Sequence, residues 1–121
     1  MAKVLLVDDD LIYLDELSAA LRSLDHGVTT ATSMDEAKAC LAATPPEIII
    51  CDTIMAGGGA LSLLHDVRAS GSEIPFVVIT GRPEIATSPL FQKGMKEANA
   101  KIEKSASLFE IDQLIRTLLK S

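Results

Sequence analysis

The sequence predicts an α/β fold, a doubly wound five-stranded parallel sheet, on three observations. Its strongest apolar runs, Val4-Leu5-Leu6-Val7, Ile48-Ile49-Ile50-Cys51 and Phe76-Val77-Val78-Ile79, are short and continuous, the mark of strands buried on both faces. Segments with apolar residues at helical spacing separate them. Each run also ends on a polar group: Asp8-Asp9-Asp10, then Asp52, then Thr80. In a parallel sheet the strand C-termini share one edge, and ligands bind along that edge.

The elements follow in order. Lys3 to Val7 is the first strand. Leu11, Leu14, Leu17, Leu21 and Leu24 predict a helix over residues 11–24, stopped by Asp25-His26-Gly27. Val28 to Ala31 is a short strand. Ser33 with Glu36 three residues on is a capping box, opening a helix that carries Ala37, Cys40 and Leu41. Thr44-Pro45-Pro46 ends it, and Ile48 to Cys51 is the central strand. The loop Ala56-Gly57-Gly58-Gly59-Ala60 has wide backbone freedom and reads as mobility beside the site. Leu61, Leu64, Val67 and Arg68 predict a third helix ending near Ser70-Gly71. After the strand Phe76 to Ile79, Gly81-Arg82-Pro83 breaks the chain. Residues 84–99 are the least legible; Pro89 suits the first turn of a helix running to about Ala98, a reading that Gly94 weakens. Ala100 to Glu103 is a marginal strand, and Leu108, Ile111, Leu114, Ile115 and Leu118 form one face of a last helix. Short links and right-handed crossovers then give the doubly wound sheet.

The chain has 121 residues, which suits one domain over residues 1–121, and Met1 and the clean stop at the last helix lead us to expect a complete one. Hydrophobic residues make up 48% and aromatics only 3%, so the core must be aliphatic. The net charge of −6 and the lack of a basic stripe speak against nucleic acid as a partner. No signal segment or membrane-spanning run is legible, so we expect a soluble cytoplasmic protein without membrane contact. Cys40 and Cys51 read as small core residues, not as a disulfide. His26 and His65 read as solvated surface histidines, Met34 and Met55 as packing residues, Lys101 as surface and Asp10 as a helix cap or surface residue. The Glu and Lys residues from 93 to 104 read as a solvated face that could serve as a docking surface.

Carboxylates brought together at one sheet edge repel one another, and a hard divalent ion relieves this. Mg²⁺ takes one or two carboxylates plus water and phosphate oxygens. Asp8, Asp9 and Asp52 balance the charge of Mg²⁺ together with Lys104. An aspartate can also act as the nucleophile toward phosphorus. Asp52 is the best candidate, standing alone on the central strand beside the glycine loop, with Asp8 and Asp9 left to hold the metal. Phosphoryl transfer needs mainly positioning and charge neutralisation, so this small set suffices.

The whole chain resembles the receiver domain of two-component response regulators, of the stand-alone single-domain type with a (βα)5 flavodoxin-like fold. The residues that carry the likeness are Val4-Leu5-Leu6-Val7-Asp8-Asp9-Asp10, Ile49-Ile50-Cys51-Asp52-Thr53-Ile54-Met55, Val77-Val78-Ile79-Thr80-Gly81 and Lys104. The resemblance implies that Asp52 is the phosphoacceptor and that Asp8, Asp9, Asp52 and the backbone carbonyl of Ile54 bind Mg²⁺. It implies that Thr80 and Lys104 contact the phosphoryl oxygens. It further implies a sensor histidine kinase or a histidine phosphotransfer protein as donor, an unidentified protein target, and a response on the face of the fourth helix, fifth strand and fifth helix. The family commonly forms homodimers through that face.

The chain departs from the family pattern at several positions. Ala56 stands where proline is usual, Ala60 where glycine is usual, and Ser105 follows Lys104 in place of proline. A cis bond at Lys104–Ser105 would cost roughly 3 kcal/mol without proline, so a trans bond is expected. Lys101 occupies the position of the aromatic switch residue, and a lysine cannot exchange between buried and exposed wells as a ring does. Output is therefore expected through loop or backbone rearrangement around residues 81–100. The leading expectation is a phosphoacceptor that binds partners in a phosphorylation-dependent way or drains phosphate from a shared kinase. The alternative is a pseudo-receiver, a phosphorylation-independent interaction module. A turnover enzyme is not expected: an aspartate-based phosphatase needs a second acid at position 54, where this chain has isoleucine.

Overall fold

A computed structural model describes residues 2–82, 84 and 87–120. Five strands, β1 (Lys3–Val7), β2 (Gly27–Ala31), β3 (Ile48–Asp52), β4 (Phe76–Thr80) and β5 (Ala100–Glu103), form one sheet in the order β2-β1-β3-β4-β5. Every pairing is parallel. The described residues also form helices α1 (Leu11–Ser23), α2 (Met34–Ala43), α3 (Gly59–Ala69), α4 (Pro89–Gly94) and α5 (Leu108–Leu119).

Burial on both faces explains why the central strands lack alternation. All five residues of β3 and of β4 are buried. Leu5, Val7, Ile49, Cys51, Phe76 and Val78 face α2, α3 and α4 through Met34, Ala37, Leu63, Leu64, Val67, Phe91 and Met95. The alternate residues Val4, Leu6, Ile48, Ile50, Val77 and Ile79 face α1 and α5 through Leu14, Leu17, Leu21, Ile111 and Ile115. Period-two alternation thus divides each strand between two apolar layers instead of between core and water. Met34 and Met55 are core residues as expected, and so is Cys51; Cys40 is only half-buried and packs against the first layer.

The helix boundaries follow local chemistry. Asp10 caps α1 by accepting from the Tyr13 amide at 3.2 Å. Half of the expected Ser33–Glu36 capping box forms: the Glu36 amide donates to Ser33 Oγ, while the Glu36 carboxylate accepts from the amide and hydroxyl of Thr32, one residue before the cap. The glycine run is less free than the sequence suggests. Gly59 already belongs to α3, and a Cβ there would run into the Thr53 carbonyl at a φ of +69°. The loop needs glycine to turn closely behind β3, not only to move.

α4 stops at Gly94, short of the expected Ala98. Gly94 lies so close to Leu61 that a Cβ would collide with its side chain. Pro83, at the expected chain break, and Ile85 and Ala86, in the least legible stretch, lie outside the described residues.

One expectation is overturned. His26 is not a solvated surface residue but is 4% exposed. Its Nδ1 accepts from the Ala2 amide at 3.1 Å, and its Nε2 lies 2.7 Å from Asp112 Oδ1. Arg116 Nε donates to the other Asp112 oxygen at 2.9 Å. The partners come from Ala2, just before β1, and from α5, so spacing around residue 26 carried no sign of them. His65 is exposed, as expected.

Candidate functional site

The order of the sheet reverses between β1 and β3, and the C-terminal edge at such a switch point forms a crevice. β1 delivers Asp8 and Asp9 to that edge, β3 delivers Asp52, β4 delivers Thr80, and Lys104 follows β5 directly. A cavity of about 220 Å³ there is lined by Asp9, Asp52, Thr53, Ile54, Thr80 and Arg82. The structure therefore brings together every residue singled out for the site.

Charge dominates its geometry. Carboxylate oxygens of Asp8, Asp9 and Asp52 lie within 4.8 Å of one another. Lys104 Nζ is 2.7 Å from Asp8 Oδ2, 3.7 Å from Asp52 Oδ1 and 3.9 Å from Asp10 Oδ2. Asp8 is fully buried; its Oδ1 accepts from the Asp10 amide at 2.9 Å. Its Oδ2 has the Lys104 ammonium as neighbour but no hydrogen bond of good geometry among the described residues. Asp10, beyond its capping role, thus borders the site.

One ammonium does not compensate three acids. Burial, then the Asp8 charge, push the Asp52 carboxyl up to about 6, while Lys104 and the Thr53 amide pull the other way. Burial lowers the Lys104 ammonium, but its close contact with Asp8 at 2.7 Å and the surrounding carboxylates outweigh this and raise it overall. Lys104 is therefore charged at neutral pH. The donor set is all oxygen, crowded and short of positive charge, which fits a hard divalent cation such as Mg²⁺.

Thr80 is held differently. Its Oγ1 accepts from the Arg82 amide at 2.9 Å and donates to the Arg82 carbonyl at 3.2 Å. The Lys104 amide donates to the Thr80 carbonyl at 2.8 Å, tying β4 to the lysine. Thr53 anchors the far side, its amide and hydroxyl both donating to the Ile79 carbonyl at 3.0 Å. The side chain of Ile54 is 51% exposed at the mouth. Lys101 is exposed, and the Lys104–Ser105 bond is trans, as expected.

Sequence reasoning gave Tyr13 no part in this site. Its ring lies under Lys104, with Nζ 4.8 Å from the ring centroid. Helical spacing makes Tyr13 only one more residue of α1, and no pattern along the chain pairs it with position 104.

Residues 4–116 match the Response regulator receiver domain family. The chain is similar to the photosynthetic apparatus regulatory protein RegA of Cereibacter sphaeroides, with 34% identity over 85 residues, covering 70% of this chain and 46% of RegA. It is 39% identical over 80 residues to the hydrogenase transcriptional regulatory protein HoxA of Cupriavidus necator, covering 66% of this chain and 16% of HoxA. The chain thus spans less than half the length of either relative. Among solved structures, the receiver domain of NtrX from Brucella abortus superposes with a TM-score of 0.84 at 25% identity, covering 98% of each chain. The receiver domain of the Francisella response regulator 1452 superposes at 0.86 and 21% identity, over 99% of this chain and 98% of that one, a likeness of fold. No helix of the described residues is long and apolar enough to cross a membrane. Receiver domains generally use Mg²⁺ at an acidic pocket and interact with kinases or phosphotransfer proteins; they are signalling modules, not a catalytic family. By sequence and by fold, the chain belongs to the response regulator receiver domains of two-component signalling.

Proposed function

We propose that this chain is a cytoplasmic phosphoacceptor, one receiver domain over residues 1–121, that takes a phosphoryl group on Asp52 from a histidine kinase or histidine phosphotransfer protein. The phosphorylated form binds a protein target or serves as a phosphate sink. The observation that carries this reading is the meeting of Asp8, Asp9, Asp52 and Lys104 at the switch point of the sheet, with more negative charge than the lysine can offset.

In the transfer, an Asp52 carboxylate oxygen attacks phosphorus. The new O–P bond forms as the P–N bond to the donor imidazole breaks; its electron pair stays on the nitrogen, which takes up a proton from water. Asp8, Asp9, Asp52 and the Ile54 carbonyl would hold Mg²⁺, which when bound neutralises charge on the phosphoryl oxygens. Lys104, already within 3.7 Å of Asp52, turns from Asp8 toward a phosphoryl oxygen. The Thr80 hydroxyl gives up the Arg82 carbonyl to donate to another. That exchange frees the chain after β4 to rearrange, a route to output that needs no aromatic residue at position 101.

Intact-mass measurement after incubation with a phosphodonor and Mg²⁺ tests the proposal. Wild type should gain about 80 Da and Asp52→Asn should gain nothing, as expected for a single aspartyl phosphate. No gain in wild type under conditions of demonstrated Mg²⁺ binding would leave the pseudo-receiver reading in its place.

A further inference from the structure

Tyr13 is the chain's single tyrosine, and there is no tryptophan. It rises from the first turn of α1, directly after the Asp10 cap. Its ring packs against the apolar layer shared by α1 and α5, while its face supports the Lys104 ammonium. A cation 4.8 Å from a ring centroid lies within the range of a cation–π contact. The ammonium is therefore bounded both by Asp8, Asp52 and Asp10 and by an aromatic face. The hydroxyl is buried and has no hydrogen-bond partner among the described residues. Burial, then the charges of Asp8, Asp52 and Asp10, push this phenol up, so it stays neutral. A neutral ring without a polar anchor can act on Lys104 only through its face.

The geometry points to Tyr13 as a positioning residue for Lys104, its ring seating the ammonium between Asp8 and Asp52 where an incoming phosphoryl group is received. This rests on the phosphoacceptor reading of Asp52 but concerns a different residue. A lysine side chain has four rotatable bonds and would otherwise spread over many rotamers, most of them leading the ammonium away from Asp8 and Asp52. The ring removes those alternatives on one side. The role belongs to the ring and not to the hydroxyl, so phenylalanine should fulfil it and leucine, of similar bulk but without a quadrupole, should not.

The experiment uses the full chain, its Tyr13→Phe and Tyr13→Leu variants, Mg²⁺, and acetyl phosphate as a small donor. Labelling of Asp52 should slow about tenfold in Tyr13→Leu and recover to near the wild-type rate in Tyr13→Phe. In parallel, the ε-methylene protons of Lys104 should resonate upfield of other lysines in wild type and Tyr13→Phe, because they lie over a ring, and at the ordinary position in Tyr13→Leu. Phenylalanine restores packing as well as the ring face, so the Lys104 resonance, which moves only if a ring lies over the ammonium, is the readout that a merely structural role would leave unchanged. Labelling of Tyr13→Leu at the wild-type rate, or an ordinary Lys104 resonance in wild type, overturns the assignment. If wild type takes no phosphate at all, the reading of Asp52 fails, and the Lys104 resonance alone decides whether Tyr13 seats the lysine.

Discussion

Two buried aspartates of this domain, Asp112 and Asp52, sit in opposite electrostatic surroundings. Asp112 has one oxygen on His26 at 2.7 Å and the other on Arg116 at 2.9 Å. The hydrogen bond from His26, then that from Arg116, hold its carboxyl below the usual range. Asp52 receives one amide hydrogen bond from Thr53 and shares a single ammonium with Asp8 and Asp10. Burial and Asp8 push it up to about 6. A network whose donors match its acceptors needs nothing further and joins the pieces of the fold. A network with surplus carboxylate leaves negative charge for a cation to balance, the kind of imbalance that marks a candidate functional cluster rather than a structural one.

Breaking the balanced network should have the largest effect on stability. His26→Ala removes the partner of the Ala2 amide and of Asp112 and leaves a hole between β1 and α5. The expected loss is about 2–3 kcal/mol, from an unpaired buried polar group plus a cavity. Thermal unfolding should show a fall in Tm of about 10 °C, without any change in Mg²⁺ affinity. A reduced affinity would mean that the two regions are coupled.

Metal should act only on the other region. Mg²⁺ at a hundredfold excess over its Kd should stabilise wild type by about 2.7 kcal/mol, since only the folded state holds the acids together. The same titration of Asp8→Asn should give little or no gain. Equal stabilisation of both proteins would place the ion elsewhere.

The third effect is smaller and of opposite sign to most substitutions. A carboxyl with a folded-state pKa above its unfolded value contributes stability that is present below about pH 4 and lost as pH rises through about 6. Without metal, Asp52→Asn should therefore be more stable than wild type at pH 7. The gain should be about 1 kcal/mol, or about 4 °C, after allowance for solvent screening, and should vanish near pH 4. Asp112, with its lowered value, contributes stability above its unfolded pKa that is lost as pH falls below about 4. Asp112→Asn should then be less stable than wild type at pH 7. If both variants moved in one direction in pH-dependent unfolding, the distinction between the two networks would be lost.

The same contrast explains how much could be read from the chain. Strands β1, β3 and β4 were legible because burial on both faces leaves an unbroken apolar run that ends abruptly at a charge. The site was legible because a parallel sheet places all those ends on one edge, so Asp8, Asp52, Thr80 and Lys104 could be joined without knowing any distance. His26 was not legible: its partners Ala2 and Asp112 lie 24 and 86 residues away, and a lone histidine at a turn looks the same solvated or paired. Tyr13 failed for a similar reason, since its contact with Lys104 depends on how α1 leans over the edge. α4 ends at the glycine that already weakened the longer reading, and only the close approach of Leu61, which leaves no room for a Cβ at residue 94, is a tertiary fact. Helical periodicity reports which face is apolar, not where a neighbouring side chain leaves no room.

The smallest expected effect on stability tests the open side of the site. Ile54 lies at the cavity mouth with half its surface in water, so Ile54→Asn should change stability by no more than about 0.5 kcal/mol. Its effect on the phosphorylated form should be far greater. An isoleucine has no donor or acceptor with which to orient a water for attack on phosphorus, whereas an asparagine amide does. Loss of the added phosphate should therefore be faster in Ile54→Asn, read as decay of the mass gain after donor removal. The balanced cluster around Asp112 offers no counterpart, because every group there already has its partner. An unchanged decay rate would mean that the attacking water is positioned by groups other than the side chain at position 54.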